Sequence, residues 1–538
     1  MAEQVSASSI AAPGFAGLNT QDSPTQLDSG FAAQAQNCVI DKFGRIGARK
    51  GWTKVNAVNT DLGSANIQFM FEMTDPNGNH FISAGNNKLF TGTSTLTQKL
   101  VRNADNSGNA TYTITADNWQ GAAIPFGESS DAEPHAYLVQ AAHEPLVYHE
   151  LPVSGGQPHD HDSGTFGFQK LADVGTLPPG YTSTDFKPNC AIAAYGRIWM
   201  ADIAGDRQTV YFSRLLDGSD FSGGDSGSLS INSVFPNNDQ IVALGAHNGY
   251  LIIFGRNNIA IYANPIDVTE LTLAEYIPNV GCVARDTVAS TGSDIIFLSD
   301  GGLRSLGRVI QEKSLPFRDI SKNVRDDLMQ KVDSEVFKIN IKGIYSEKNA
   351  FYLLALPTVK EVYCFDTRTA LPDGSLKATV WNRMEPKCFL IDSEKNLYIG
   401  KPGFIGKYES YRDDTETYRL VYFTNYFDLG QPTIEKILKK INWIVIGGSN
   451  QSIVTKWGFE YTENYRSDTL TLAQADVSEY NIAQYNIDEY APGIVIAKVV
   501  KQVGGAGAVV QLGLETEINQ NPFSIQKINV FCKLGKNV

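Results

Sequence analysis

Two fragments carry the residue types of a serine hydrolase. "QAAHEP" places His143 in a turn, and "GGDSGS" places Ser226 in a Gly/Ser-rich loop. Proteolysis by that route needs a serine and a histidine in hydrogen-bond reach, an orienting aspartate and an oxyanion hole. Here the two residues fall in loops of different strand pairs, and Ser228 stands where the protease pattern has a second glycine. "QPHDHDSG" offers His159, Asp160, His161 and Asp162. Alternate residues of an extended segment share a face, so His159 and His161 could ligate one metal. No third ligand is identifiable, and the flanking Gly and Pro mark a solvated loop. Acidic pairs such as Asp326-Asp327 and Asp413-Asp414 read as solvated faces. "GGDSGS" and "VGGAGA" match neither a phosphate loop nor a dinucleotide fingerprint. The expectation is a non-enzymatic protein with no catalytic residue, no resident metal and no cofactor.

A basic cluster stands out more. "DKFGRIGARKGWTK" carries Lys42, Arg45, Arg49, Lys50 and Lys54 against the single Asp41. It reads either as a strand with a solvated cationic face or as an electrostatic dock for an acidic partner subunit or passing DNA. Ahead of it, "APGFAGLNTQDSPTQLDSGF" scatters Phe15, Leu18, Leu27 and Phe31 among prolines and glycines. That is the pattern of an extended arm whose apolar residues need a partner, or the body of the protein, to bury them. Phe15, Leu18, Lys42, Arg45, Arg49, Lys50 and Lys54 are therefore the candidate docking residues.

Composition narrows the class. The chain has 538 residues, 42% of them apolar and 19% charged, which is enough to build substantial cores. The net charge of -13 argues against a protein that coats DNA, yet it suits a surface past which phosphates slide without sticking. No apolar run approaches a membrane span, and the first residues lack a secretory pattern, so synthesis and folding in a cytoplasm are expected. Cys38, Cys190, Cys282, Cys364, Cys388 and Cys532 lie far apart, mostly in strand-like runs, and are expected as small core residues.

The elements that must position these residues are mostly strands. A unit of apolar run, Gly/Asn/Asp turn and second apolar run recurs, as in "HFISAGNNKLFTG" and "GYLIIFGRNNIAIYAN". With Ile82, Leu138, Ile198, Leu251, Ile295, Phe351 and Leu397 as markers, the units recur about every 44 to 60 residues. An isolated hairpin cannot bury its apolar face. A repeat of this length has room for four short strands, the size of one propeller blade. The expected fold is all-β: a β-propeller of six to eight blades over residues 57–418, then a smaller β-sandwich-like domain over 419–538. Residues 1–56 form the extended arm and basic strand. A pair of large β-sandwiches explains the strands equally well and the spacing less well. Alternation such as Ile259-Ala260-Ile261-Tyr262 predicts one buried and one wet face per strand. Ile320, Val324, Leu328 and Val332 predict one amphipathic helix. Tyr480, Tyr485 and Tyr490, five apart, fit an irregular loop packed back on a sheet.

"GLNTQDSPTQLDSGFAAQAQNCVIDKFGRIGARKGW" resembles the N-terminal signature of tail hub, or nozzle, proteins of short-tailed bacteriophages, also termed packaged-DNA stabilisation proteins. "YGRIWMAD", "VYFSRLLDGSDF", "IVALGAHNGYLIIFGRNNIAIY", "VGCVARDTVASTGSDIIFLSDGGLRSL", "NLYIGKPGFIGKY" and "FDLGQPTIEKILKKINWIVIGG" follow in family order. The resemblance covers most of residues 13 to 450 and is carried by the ordered series, not by one motif. It implies a non-enzymatic propeller with a smaller β-domain, assembled as a hexameric ring below the portal and adaptor proteins of a virion. The ring's channel would hold back viral double-stranded DNA and later conduct it, without sequence readout, while the exterior holds tail fibres or spikes. No family gate residue maps onto a motif here. The alternative is a receptor-binding or glycan-binding or glycan-cleaving propeller of a tail, although Asp-box repeats are absent.

Overall fold

A computed structural model describes residues 5–537, apart from 24–26, 77, 126–132, 157–162, 313–318, 432, 449–450, 463 and 473–493. Among the described residues its middle is a wheel of seven antiparallel blades: five four-stranded sheets, one three-stranded sheet, and the first four strands of a larger ten-stranded sheet. The blades span residues 67–99, 120–170, 188–230, 241–277, 289–305, 342–382 and 389–407. Each of the seven sequence markers falls in the second strand of its blade, and each is buried. The tight turns follow from local chemistry. Asn248-Gly249 has positive φ at both residues, 48° and 81°, the primed geometry whose twist matches that of its flanking strands.

The first strands of successive blades line the hub. Gln120–Ile124 packs against Pro188–Ala194, which packs against Ile241–His247. Lys342–Ser346 meets Phe389–Ile391, which meets Ile67–Asp75 and so returns the circle to its start. The outermost strand of the seventh blade comes from far upstream: Thr53–Lys54 pairs with Phe404–Lys407, Lys54 opposite Gly406. Closure thus ties the start of the wheel to its end by backbone hydrogen bonds.

The blades are buried on both faces, which corrects the expectation of one wet face. Ile259 and Ile261 pack toward the fifth blade with Ile295 and Phe297. Ala260 and Tyr262 pack toward the third with Trp199 and Val210. A sheet with a neighbour on each side alternates between two cores, not between core and water.

The stretch expected as an extended arm is buried by the body of the protein, one of the two partners expected for it. Val5–Ala11 pairs antiparallel with Ser524–Asn537. Phe31–Gln36 pairs with Tyr418–Thr424 and, in parallel, with Lys377–Asn382, the outer strand of the sixth blade. One ten-stranded sheet therefore runs from the sixth blade, through an N-terminal strand, into the C-terminal strands Val510–Ile518, Ser452–Phe459 and Arg466–Thr471. A second sheet sets Ile434–Gly448 and Ser524–Asn537 beside Ile46–Ala48 and Cys38–Ile40. The two share one core that includes Phe15, Leu18, Ile46, Trp443, Leu512 and Ile528. Both ends of the chain build this region, because neither has the strands to cover its own apolar face.

The helix is where its period places it. Arg325–Ser334 follows a single 3-10 turn, and Ile320, Val324, Leu328 and Val332 all enter that same core. A further helix, Leu306–Glu312, was not expected. All six cysteines are free and buried. Tyr480, Tyr485 and Tyr490 lie outside the described residues.

Removal of residues 1–56 tests whether this stretch is an arm or part of the body. The truncated chain loses the edge partner of Phe404–Lys407 and the strands beside Ser524–Asn537, and it opens a shared core. Aggregation in place of a cooperative thermal transition is expected, read by size-exclusion chromatography and circular dichroism. A soluble product with the parent's melting temperature would mean a free arm.

Candidate functional site

At the hub of the wheel, charged side chains from several blades meet. Arg285 and Asp286 lie in the turn before the fifth blade, and Lys342 opens the first strand of the sixth. Arg285 is 3% exposed and Lys342 6%. The Asp286 carboxylate accepts from Arg285 Nε at 2.8 Å and Nη2 at 2.9 Å, and from Lys342 Nζ at 2.5 Å. Arg285 also donates to the carbonyl oxygens of Asn189 at 2.5 Å and of Asn118 and Trp119 at 3.2 Å. Lys342 donates to Asn118 Oδ1, and Asn118 Nδ2 to the Ile339 carbonyl at 3.0 Å. One network thus links the edges of the second, third, fifth and sixth blades, which only groups reaching across the hub can do.

Burial by itself would raise the Asp286 pKa. The attraction of Arg285 and Lys342 outweighs it and holds the carboxyl down at about 2. A cavity of about 320 Å³, lined by Asn189, Arg207, Asp239, Arg256 and Arg285, opens on one side of the network. A smaller one of about 180 Å³, lined by Phe69, Trp119, Asp286, Lys342 and Cys388, lies on the other. Both cations are already partnered, so the arrangement locks blades together and presents no poised nucleophile or base. Arg285 and Lys342 stand far apart in sequence, and nothing in "VARDTVAS" marks its charges as buried; sequence reasoning missed them.

The candidate docking residues do not form one face. Phe15 is fully buried, edge-on to Tyr422 with ring centroids 6.0 Å apart, and Leu18 is buried beside Phe31–Gln36. Arg49 is buried too. Its guanidinium grips both Asp413 oxygens at 2.8 and 2.7 Å, donates to Asn37 Oδ1 at 3.0 Å and stacks 4.0 Å from the Tyr418 ring. These three are internal joints, so their reading as docking residues is corrected. Lys54 sits 3.3 Å over the Phe404 ring in the closing strand, and exposed Lys50 flanks it in sequence. Only Lys42 and Arg45 stay together at the surface, on the tip of the hairpin Cys38–Ile40/Ile46–Ala48, on either side of Phe43.

The hydrolase fragments do not meet. His143 Nε2 accepts from the Thr115 amide at 3.0 Å, and Nδ1 lies 3.1 Å from the Ala141 carbonyl. Ser226 belongs to the loop between the third and fourth strands of the next blade, on the opposite rim. His159, Asp160, His161 and Asp162 lie outside the described residues. Among the described residues no group of three or more His, Cys, Asp or Glu could hold a metal. Nor is any described helix long and apolar enough to cross a membrane.

Residues 185–385, from the third blade through the sixth, match the family model described as phage stabilisation, Bacteriophage P22 Gp10, β-propeller. No curated protein matches the chain. Among solved structures the chain is similar to PorZ, a bacterial surface component of the type-IX secretion system of Porphyromonas gingivalis. The identity is 10% and the TM-score 0.37, over 69% of this chain and 42% of that one, so this chain spans less than half of PorZ. It is also similar to the Neurospora crassa Pan2 WD40 domain, at 7% identity and a TM-score of 0.35, over 67% of this chain and 96% of that one.

Asp286→Asn leaves two buried cations without their counter-charge, a change expected to cost about 3–5 kcal/mol in denaturant unfolding. The acid limb checks the same carboxylate. An aspartate near 4 in the unfolded chain and held at about 2 in the fold adds stability above pH ~4 that fades toward pH ~2, about 2 kcal/mol in all. The variant is expected to lose stability less steeply than the parent across that window.

Proposed function

From the match of residues 185–385 to the family model described as phage stabilisation, Bacteriophage P22 Gp10, β-propeller, we propose that this chain is the nozzle subunit of a short-tailed phage virion. In this reading it is made in the bacterial host and assembles as a hexameric ring that continues the channel of the portal and adaptor proteins. The ring retains the packaged double-stranded DNA, conducts it during ejection and anchors tail fibres or spikes. The family match carries the proposal, and it falls on the wheel itself.

Two physical features support it. The net charge of -13 repels a polyanion on balance, which suits a channel past which DNA slides without sticking. A wheel closed by Thr53–Lys54 and cross-linked at its hub by Arg285, Asp286 and Lys342 is a stiff block, suited to bearing load. The work assigned to the chain is done by shape and charge, with no bond made or broken.

Particles assembled without the chain provide the test. The capsids are expected to fill and then leak, leaving most of their DNA open to added nuclease, with protection restored when the gene is supplied in trans. Particles that keep their DNA but no longer adsorb to cells would point instead to receptor or glycan binding.

A further inference from the structure

The hairpin tip left over from the basic cluster has an unusual exposure. Phe43 is 56% exposed although it is a large apolar side chain. Asp41 fixes the turn, its Oδ1 accepting from the backbone amides of Phe43 at 2.8 Å and Arg45 at 3.0 Å. Lys42 Nζ lies 5.0 Å and the Arg45 guanidinium 4.4 Å from the ring centroid. The result is a rigid apolar knob carrying two cations on a chain that is acidic overall.

A surface complementary to it lies on one rim of the wheel. Loops of the third and fourth blades expose Leu215, Leu216, Tyr250 and Ile266, from 36% to 61%. These loops form one surface. The Leu216 amide donates to the Gly196 carbonyl at 2.8 Å, Tyr195 Oη to the Tyr250 carbonyl at 2.8 Å, and buried Arg197 to the Ile266 carbonyl at 3.4 Å. Tyr250 also borders a cavity of about 370 Å³ whose walls include Ile252, Ile261, Leu306 and Ile310, with room for a phenyl ring. The surrounding charge is negative. Asp217 is buried and Asp225 is paired with buried Arg197, so Asp220, Asp267 and Glu270 supply the rim's negative charge, against Arg214 and with no Lys or Arg in residues 264–271.

We propose that Phe43, with Lys42 and Arg45, seats on this acid-rimmed apolar surface of the next copy of the chain. Knob and receiving surface lie on different parts of the molecule, one in the terminal sheets and one on the third and fourth blades. Such a contact is head-to-tail and closes a ring when its rotation allows. The opposed charges orient the approach, and burial of the aromatic ring supplies the holding contact. The proposal rests on the ring reading above and names the contact that would build the ring.

The test uses the full chain, alone and in particles, with Phe43→p-benzoylphenylalanine as a photo-crosslinker and native mass spectrometry to count subunits. Expected crosslinks join position 43 to residues 195–271 or 293–310 of another copy. Phe43→Ala and Leu216→Asp are each expected to raise the protein concentration needed for ring formation about tenfold or more. Both sites are exposed, so the melting temperature of the monomer should not move. Rings whose crosslinks fall elsewhere, on another protein or nowhere, overturn this contact and leave the ring standing. If no ring forms in either setting, contact and ring reading fail together.

Discussion

The central strands of each blade are apolar on both faces, and a sheet of that kind cannot end a stack. Ile82 and Leu138, in the first and second blades, share one core, while Leu251 and Ile295 fall into others. A row of blades with two free ends would leave two such faces in water, at roughly 1.5–3 kcal/mol for each large side chain exposed. Bending the row until its ends meet removes both faces together. The seventh blade performs that closure: Ile405 and Cys388 join Ile67, Met70 and Phe81 of the first blade in a single core. Its edge strand, Thr53–Lys54, is drawn from the N-terminal stretch, so closing the wheel also fixes where that stretch must lie.

This constraint makes the terminal sheets a consequence of the wheel. With Thr53–Lys54 held at one rim, Phe31–Gln36 is within reach of the sixth blade's outer strand and extends that sheet toward Tyr418–Thr424. Arg49 lies between these two attachments. Its buried ion pair with Asp413, its hydrogen bond to Asn37 and its stacking on Tyr418 bind the N-terminal stretch to the segment that leaves the seventh blade. A guanidinium offers five donors in a fixed fork, and here that fork joins segments hundreds of residues apart.

The wheel was legible in the sequence because its signal is periodic and local. The two apolar bursts pair, Trp199 to Ala201 with Phe212 to Val210, Met200 opposite Tyr211. Burial of the second face was not legible, since alternation such as Ala260 against Ile261 looks the same whether the far side meets water or another blade. The joints were less legible still. Arg49 reads as one member of a cationic run, and nothing beside Asp286 marks it as buried, until strands distant in sequence arrive beside them. Turn chemistry and hydrophobic period are written in neighbouring residues; a buried ion pair is written in two places that only the closed fold brings together.

The same partition explains why a local run of cations in the sequence is a poor guide to this molecule's surface. Arg49, Arg197, Arg285 and Lys342 are all buried and each holds a carboxylate partner, so none projects its charge outward. Each such pair is close to neutral, so the long-range field follows the excess of acids over the whole chain, net -13. Arg45 is partly neutralised by Asp41 at 2.6 Å, yet Lys42 beside it is exposed. On an acidic body even a small cationic hairpin is a distinct landmark for an approaching acidic surface.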